Sequence, residues 1–486
     1  MNQAGMIVAA ALAAGALLAP TSRARALAML AALVITPVLL AADVWDTPQL
    51  EPLRDRPAAA AAGAAIALLA LCGAAWLFAR RRWLFAALAV AAVPFRVPLE
   101  IGGTTASLLV PLYAVIGAGG LAWIVPRLRR GAELDPPREN GWLERLLAIS
   151  LVLYALQAAY SGDADKALEQ VVFFYVPFTI LFALLRELDW SPVLVRRCFT
   201  VVVVLALIFT AIGFWEYFQR ELLLNPKVIA QNQFQAYFRV NSLFFDPNIY
   251  GRFLALVMTG LAAVVLWSRA PRTLWLSAAA LAVLWAGLLL TLSRSSFAAL
   301  LAGLVVIAAL RWRPWKTLAA AGVAIAVGAA IVLAFPAKFN LDFSSDKAVD
   351  KAASGRLELV EGGVRLARAR PVHGFGSGSF SFEYRRREKA PGERATSASH
   401  TIPITVAAEQ GVIGLAVYFA LLLAALWRLL GGASRSGARA AVAAAFVALV
   451  VHTWLYAAFL EDPLVWTLLG VGVALARRQP PEPDPG

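Results

Sequence analysis

Four arginines lie at the edges of long apolar runs in the middle of this chain. Arg239 precedes Asp246-Pro247-Asn248, Arg252 follows that triplet by one helical turn, Arg294 lies in Leu292-Ser293-Arg294-Ser295-Ser296, and Arg356 lies in Ser354-Gly355-Arg356-Leu357. A guanidinium at membrane depth is costly unless it lines a polar cavity or pairs with an anion. Its planar fork matches the oxygens of a phosphate. The four side chains are therefore candidates for binding a phosphate-bearing substrate.

Each of these arginines also has a structural explanation. Arg294 can cap a tight helical hairpin, and Arg239 can be a solvated loop residue. Arg356 can extend its charge to water from an interfacial helix, and Arg252 can pair with Asp246. The argument for function is strongest at Arg294, because apolar sequence flanks it on both sides.

His400 is the candidate general base. It lies in Ser399-His400-Thr401-Ile402-Pro403, where a polar segment meets an apolar run that continues to Glu409, a further possible substrate-binding residue. An imidazole with an ordinary pKa of about 6.5 can accept a hydroxyl proton near neutral pH. His373 precedes a turn and is assigned a structural role. His452 lies within an apolar run and is expected to be a packed, hydrogen-bonded core residue.

No metal or other cofactor is predicted. Asp163-Ala164-Asp165 has the spacing of the Asp-x-Asp motif of metal-dependent glycosyltransferases, but this pattern is short and common. No His/Cys cluster has ligand spacing. Cys72 and Cys198 lie within apolar runs, where they read as small hydrophobic residues rather than as a disulfide.

Membrane helices must position these side chains. The chain has 486 residues, of which 60% are hydrophobic and 15% charged, which excludes an ordinary water-soluble domain. A spanning helix needs about 20 mostly apolar residues. The apolar runs predict an all-α polytopic bundle with about 12 to 15 transmembrane helices. They lie near 5–20, 26–42, 58–79, 83–95, 107–126, 145–160, 170–185, 198–217, 249–267, 274–292, 295–310, 317–335, 402–426, 439–457 and 464–476.

Positive charge sets the predicted orientation. Alternate breaks between helices are rich in arginine, including Arg23/Arg25, Arg80 to Arg82, Arg196/Arg197 and Arg477/Arg478. Such breaks mark the cytoplasmic side of a membrane protein. The net charge of +14 therefore indicates cytoplasmic loops, and no nucleic-acid partner is expected. The candidate site then faces outward from a multi-pass protein of the cytoplasmic membrane, and an odd helix count places the N-terminus outside.

One long polar segment, from Phe335 to Pro403, interrupts the helices. It carries twelve Lys/Arg and eight Asp/Glu. Ser354 to Ala369 has the apolar spacing of an amphipathic helix lying at the outer membrane surface. Gly374 to Gly378 predicts a turn before a second short helix around Phe382 to Lys389. The predicted division is 1–145 and 146–335 as membrane helices, 336–402 as an outer loop, 403–478 as membrane helices and 479–486 as a disordered tail.

Several motifs together resemble the O-antigen ligase/polymerase superfamily. They are Arg239 with Asp246-Pro247-Asn248, Leu292-Ser293-Arg294, Ser354-Gly355-Arg356-Leu357, Pro371 to Gly378, Ser399-His400 and Ala408-Glu409-Gln410-Gly411. The resemblance runs from about residue 200 to residue 430. One departure is Asp246, where the family has Asn in Asn-Pro-Asn.

The resemblance implies a helical bundle of the GT-C type and a metal-independent, inverting glycosyltransferase. Such an enzyme moves a glycan from undecaprenyl diphosphate at the outer face of the membrane to a lipid or glycan acceptor. Arg239 and Arg294 would hold the diphosphate, and His400 would activate the acceptor hydroxyl. Arg356, Arg252 and Glu409 are possible further substrate contacts.

Two other functions remain open at this point. A polysaccharide polymerase that extends lipid-linked repeat units would share the donor site with a ligase. A transporter of lipid-linked glycans would be expected to show paired membrane-embedded acids and bases or inverted repeats. The sequence shows no such repeat, and its long polar segment favours an enzyme.

Overall fold

The computed structural model describes residues 2–44, 51–101, 104–130, 140–224, 232, 238–334, 356–388 and 401–478. These residues form a helical bundle with one short β-hairpin. The elements before the hairpin are α1 (Asn2–Leu18), α2 (Ser22–Val44), α3 (Glu51–Asp55), α4 (Pro57–Arg80) and α5 (Arg82–Ala92). The hairpin consists of β1 (Val97–Ile101) and β2 (Thr104–Leu108).

The remaining elements are helices. They are α6 (Val110–Arg130), α7 (Trp142–Gln157), α8 (Ala164–Gln170), α9 (Val176–Leu185), α10 (Pro192–Gln219), α11 (Pro247–Trp267), α12 (Pro271–Thr291), α13 (Arg294–Arg311), α14 (Pro314–Ala334), α15 (Arg356–Ala369), α16 (Phe380–Glu388), α17 (Ile402–Leu430), α18 (Gly437–Leu455) and α19 (Pro463–Arg477). A 3₁₀ turn at Ala158–Tyr160 follows α7, a π-helical turn at Val171–Tyr175 joins α8 to α9, and a 3₁₀ turn at Ala433–Arg435 precedes α18.

The predicted fold class is confirmed. Within the described ranges, 11 helices are long and apolar enough to cross a membrane, and Gln3–Leu18, Arg82–Ala92 and Pro463–Arg477 are shorter apolar helices. Each of the fifteen predicted helices has a counterpart in the structure. The β-hairpin was not predicted, because the sequence indicated only a connection between two helices at this position. Its strands are antiparallel, with Val97 opposite Leu108 and Ile101 opposite Thr104.

Ion pairs gather several arginine-rich breaks at one end of the bundle. Glu187 contacts Arg25 at 3.5 Å and Arg127 at 3.2 Å. Glu144 contacts Arg186 at 3.4 Å and Arg477 at 3.3 Å. Burial lowers the pKa of Arg186 to about 10, and the nearby Glu144 carboxylate opposes that change. These contacts agree with the predicted alternation, which gives all four arginine-bearing breaks the same side.

The two largest apolar cores among the described residues lie in the bundle. One extends from α1 and α2 through α5 to α9 and on to α17, α18 and α19. The second joins α10, α11 and α12 around aromatic residues such as Phe209, Phe244 and Tyr250. Where α11 meets α13, small residues allow close packing. A Cβ on Gly251 would lie 2.7 Å from Ser296 Oγ, and one on Gly303 would lie 2.6 Å from Thr259 Oγ1.

Candidate functional site

Arg239 lies in an irregular segment between α10 and α11 and reaches across to the turn between α12 and α13. Its Nε donates a hydrogen bond to the Thr291 carbonyl oxygen at 2.9 Å, and its Nη2 donates to Asn248 Oδ1 at 3.2 Å. Thr291 is the last residue of α12, and Arg294 is the first residue of α13. The Arg239 side chain is therefore held against the connection between α12 and α13, three residues before Arg294.

A buried carboxylate fixes the backbone that carries Arg239. Glu216 Oε2 accepts hydrogen bonds from the backbone N–H of Asn241 at 3.1 Å and of Ser242 at 2.7 Å. Its Oε1 accepts from the N–H of Leu223 at 3.2 Å. Ser242 has a left-handed backbone, with φ of 51°, and its Oγ donates to the Phe209 carbonyl at 2.8 Å. Glu216 thus holds the irregular backbone at Leu223, Asn241 and Ser242 in place through three hydrogen bonds.

Arg294 opens a helix whose first turn is held by serines. Ser293 caps α13, and its Oγ lies 2.8 Å from Ser296 Oγ and 3.2 Å from Ser295 Oγ. His452 Nε2 on α18 lies 3.2 Å from Ser295 Oγ and 3.4 Å from Ser296 Oγ. The Arg294 side chain is exposed. A helix N-terminus favours a bound anion because its N–H groups and dipole point outward.

The Asp246-Pro247-Asn248 triplet joins this turn to α18. Asp246 caps α11 by accepting from the N–H of Asn248 at 2.6 Å, and its Oδ2 accepts from the Tyr456 hydroxyl at 2.5 Å. Burial, together with this carboxylate, raises the pKa of Tyr456, which keeps the phenol protonated as the donor. The backbone oxygen of Asn248 accepts from Ser296 Oγ at 3.3 Å. Three segments distant in sequence therefore meet around Asn248.

Arg252 is buried one turn into α11. Its guanidinium pairs with Asp462, which precedes α19, and its Nη1 lies 3.5 Å from the Ala458 carbonyl. The sequence-based alternative that paired Arg252 with Asp246 is thus wrong about the partner. Arg96, which precedes the hairpin, lies in the same polar region. Desolvation lowers the pKa of Arg96, and the Asp462 carboxylate opposes that change.

Glu409 anchors the glycine turn of the long polar segment. Its Oε2 accepts from the N–H of Gly378 and its Oε1 from the N–H of Phe380, both at 3.0 Å. Gly374, Gly376 and Gly378 all have positive φ, as the predicted turn requires. A Cβ on Gly376 would lie 2.5 Å from the Ser161 Cα. The turn is therefore packed tightly between α17 and the connection that follows α7.

The two helices predicted in the long polar segment are confirmed as α15 and α16. The environment of α15 differs from the expectation of a helix lying on the membrane surface. Its Leu359 and Leu366 are buried in a small core with Phe375, Phe380 and Tyr384. Amphipathic spacing reports an apolar face but not what covers it, and here protein covers these two side chains.

Residues 279–419 match the family model of the O-antigen ligases. The resemblance to the O-antigen ligase/polymerase superfamily is confirmed. No curated protein and no solved structure matches the chain. Members of this family are glycosyltransferase-like enzymes, so the match supports a function of the O-antigen ligase/polymerase type in general. The matched part contains Arg294 and Glu409, whereas Arg239 and Arg252 precede it.

Two predicted site residues of this O-antigen ligase-like chain are beyond structural description. His400 lies outside the described residues, immediately before Thr401, which precedes α17. Arg356 begins α15, and its side chain is not among those described. The roles of both residues stay predictions.

Asp163, the first carboxylate of the Asp-x-Asp pattern, has a structural role. Asp163 caps α8 by accepting from the N–H of Lys166 at 3.1 Å. Within the described parts of the chain, no group of three or more His, Cys, Asp or Glu side chains could hold a metal ion. His373 contributes its carbonyl, which accepts from the Tyr160 hydroxyl at 2.6 Å.

Sequence reasoning missed several polar residues around the arginines. Glu216, Arg96, Tyr456 and Asp462 were not assigned a role from the sequence. A carboxylate or arginine within or next to an apolar run was the available signal. His452, expected to be packed and hydrogen-bonded, is fully buried and lies beside Ser295 and Ser296. That expectation is confirmed.

Proposed function

We propose that this protein is an inverting glycosyltransferase that transfers a glycan from undecaprenyl diphosphate to an acceptor sugar at the outer face of the cytoplasmic membrane. Its reaction would be that of an O-antigen ligase. The observation that carries this proposal is the hydrogen bond from Arg239 Nε to the carbonyl of Thr291, three residues before Arg294. This bond holds Arg239 close in the fold to the N-terminus of α13, where Arg294 is the first residue, and this supports the proposal that both bind the diphosphate.

The proposed chemistry depends mainly on stabilising the leaving group. A glycosyl diphosphate gains negative charge on the departing diphosphate as the glycosidic bond breaks. Fixed cationic donors lower the energy of that state without having to reorganise. Arg239 is half-buried and already oriented by two hydrogen bonds to Thr291 and Asn248. Arg294 begins α13, three residues after Thr291, and is exposed, so a substrate could reach it.

In the proposed mechanism, neither the departure of the diphosphate nor the activation of the acceptor hydroxyl requires a metal ion. The charge that a divalent cation would neutralise can instead be met by two guanidinium groups and the N-terminus of α13. Asp163, the first residue of the Asp-x-Asp pattern, is engaged as the cap of α8. We therefore assign the diphosphate to Arg239 and Arg294, and keep Arg252 as an interior support because it is buried and paired with Asp462.

We assign activation of the acceptor to His400. A neutral imidazole would remove the proton from the acceptor hydroxyl as that oxygen attacks the anomeric carbon. Attack opposite the departing diphosphate inverts the configuration at that carbon. The polar segment that contains His400 is tied to the bundle at the glycine turn, through Glu409.

A transfer assay on the purified full-length protein in lipid tests the proposal. Undecaprenyl-diphosphate glycan is supplied alone and then with candidate acceptor lipids, and products are resolved by size. A single addition that requires a separate acceptor supports the ligase. A ladder from the donor alone identifies a polymerase instead, and the absence of product in both arms favours a transporter.

Arginine variants test the site within the same assay. R239Q and R294Q are each expected to reduce transfer by at least about a hundredfold, since each removes a charge-assisted contact made to the leaving group. R269Q is the matched control, because Arg269 is exposed in the turn between α11 and α12. Transfer by R239Q or R294Q at the rate of R269Q would show that the diphosphate binds elsewhere.

A further inference from the structure

A cavity lies at the arginine-rich end of the bundle, away from the candidate active site. It has a volume of about 210 Å³ and lies between the start of α5 and the beginning of α10. Its lining includes Arg82, Trp83, Asp189, Ser191 and Arg197. Typical sites for drug-sized ligands have volumes of about 300–1,000 Å³. The cavity therefore suits a compact headgroup better than a glycan.

The charge of this cavity is positive. Arg82 and Arg197 both line it, and the Arg197 guanidinium lies 5.5 Å from the Trp83 ring centre. The lining carboxylate, Asp189, pairs with Arg478 at 3.0 Å, so its charge is already balanced. The N-terminus of α10 also opens here, with Ser191 as its cap. The arrangement favours a phosphate group over a cation or a neutral sugar.

An apolar stripe extends from the cavity along α10 toward the other end of the helix. Val193, Val204 and Ile208 are 47%, 47% and 49% exposed, and they share one face of α10 with Arg197. From Val193 to Ile208 the stripe rises through fifteen helical steps, or about 22 Å at 1.5 Å per residue. Only 28% of the α10 span is buried within the protein. An acyl chain lying on this face would therefore be continuous with a headgroup in the cavity.

We propose that this cavity is a binding site for an anionic phospholipid of the leaflet at the arginine-rich end. Its phosphate accepts hydrogen bonds from Arg82 and Arg197, while Trp83 lies at headgroup level and the acyl chains follow α10. Basic pockets between transmembrane helices on the cytoplasmic side bind such headgroups in other membrane proteins. The proposal is independent of the glycosyltransferase assignment, because none of these residues contributes to the outer site.

The test measures lipid binding to the purified full-length protein by native mass spectrometry. Phosphatidylglycerol is compared with phosphatidylcholine of the same acyl chains and with inorganic phosphate as competitor. Wild-type protein is expected to bind phosphatidylglycerol at least about tenfold more tightly than phosphatidylcholine. Removing two membrane-facing charges in R82Q/R197Q is expected to weaken phosphatidylglycerol binding by roughly thirtyfold.

The matched control is R269Q/R272Q, which removes two exposed arginines from the same side of the bundle but outside the cavity. It should change binding by less than about threefold. R82K/R197K keeps both charges and should retain most of the affinity, so it separates loss of charge from loss of folding. Equal binding of the two lipids, or equal effects of the two Gln variants, would overturn the proposal. Competition by inorganic phosphate at the lipid's own concentration would also overturn it, because the site would then recognise a free anion.

Discussion

Replacing Glu216 with glutamine tests whether a buried carboxylate positions Arg239. Glu216 accepts two backbone N–H groups on Oε2, from Asn241 and Ser242, and one on Oε1, from Leu223. A glutamine side chain has one acceptor oxygen and one NH₂ group. If its oxygen keeps the Asn241 and Ser242 bonds, its NH₂ group faces the Leu223 N–H, donor against donor.

The cost of E216Q follows from that arrangement. One charge-assisted hydrogen bond is lost and the two others become neutral, which amounts to about 2 kcal/mol or more. If all of 2 kcal/mol is expressed in the arrangement of the Arg239 segment, transfer falls by roughly thirtyfold. The glycan-transfer rate and the unfolding temperature in detergent are both measured.

E221Q is the control for E216Q, because Glu221 is exposed and lies five residues further along the chain. It makes the same chemical change without removing a buried acceptor. Both measurements for E221Q should match those of the wild type. The reasoning is refuted if E216Q retains both the transfer rate and the unfolding temperature of E221Q.

Three further substitutions separate the other structural contributions. D462N should lower stability by about 3–5 kcal/mol, because it leaves the buried Arg252 without its carboxylate partner. D189N should cost at most about 1 kcal/mol, because the Asp189 side chain is 78% exposed. Similar unfolding temperatures for the two variants would contradict this. G376A should cost about 1–3 kcal/mol and reduce transfer, because its φ is +99° and its Cβ would lie 2.5 Å from Ser161 Cα; a fully active variant would show that the turn is not needed. Burial raises the pKa of Glu461 above the ordinary value of about 4.3, so its contribution to stability is full below that pH and is lost as the pH rises through the folded-state pKa. As the pH rises from 4.5 to 8, E461Q should therefore lose less stability than the wild type, as measured by thermal unfolding. If both proteins lose the same stability over this interval, Glu461 is not the source of the pH dependence.

The helices could be predicted because membrane spanning imposes a length on apolar sequence. Each predicted run corresponds to a helix, including the short ones now given as α5 and α19. Boundaries were harder where polar residues belong to the helix itself. Ala164–Leu185 is one continuous span containing a π-helical turn, and it begins before the predicted start at residue 170. The hairpin after Arg96 has no apolar run to reveal it.

The site could be predicted only in part, because its contacts join distant segments. The family resemblance paired Arg239 with Arg294, and in the structure the Arg239 side chain hydrogen-bonds to Thr291, three residues before Arg294. Nothing in the sequence identified Asp462 as the partner of Arg252, which precedes it by 210 positions. The anchoring role of Glu409 could not be predicted either. Its partners are the backbone N–H groups of Gly378 and Phe380, and a backbone donor does not depend on residue type.

The final helix, α19, has a consequence for how the protein is made. Asp462, just before it, pairs with the buried Arg252, and Arg477, its last residue, contacts Glu144, which lies 333 positions earlier. Translation delivers Arg252 to the membrane long before Asp462 exists. During that interval the nascent chain carries a cation in an apolar layer without its carboxylate. A chain that ends before Asp462 would therefore leave the Arg252 guanidinium without its carboxylate partner.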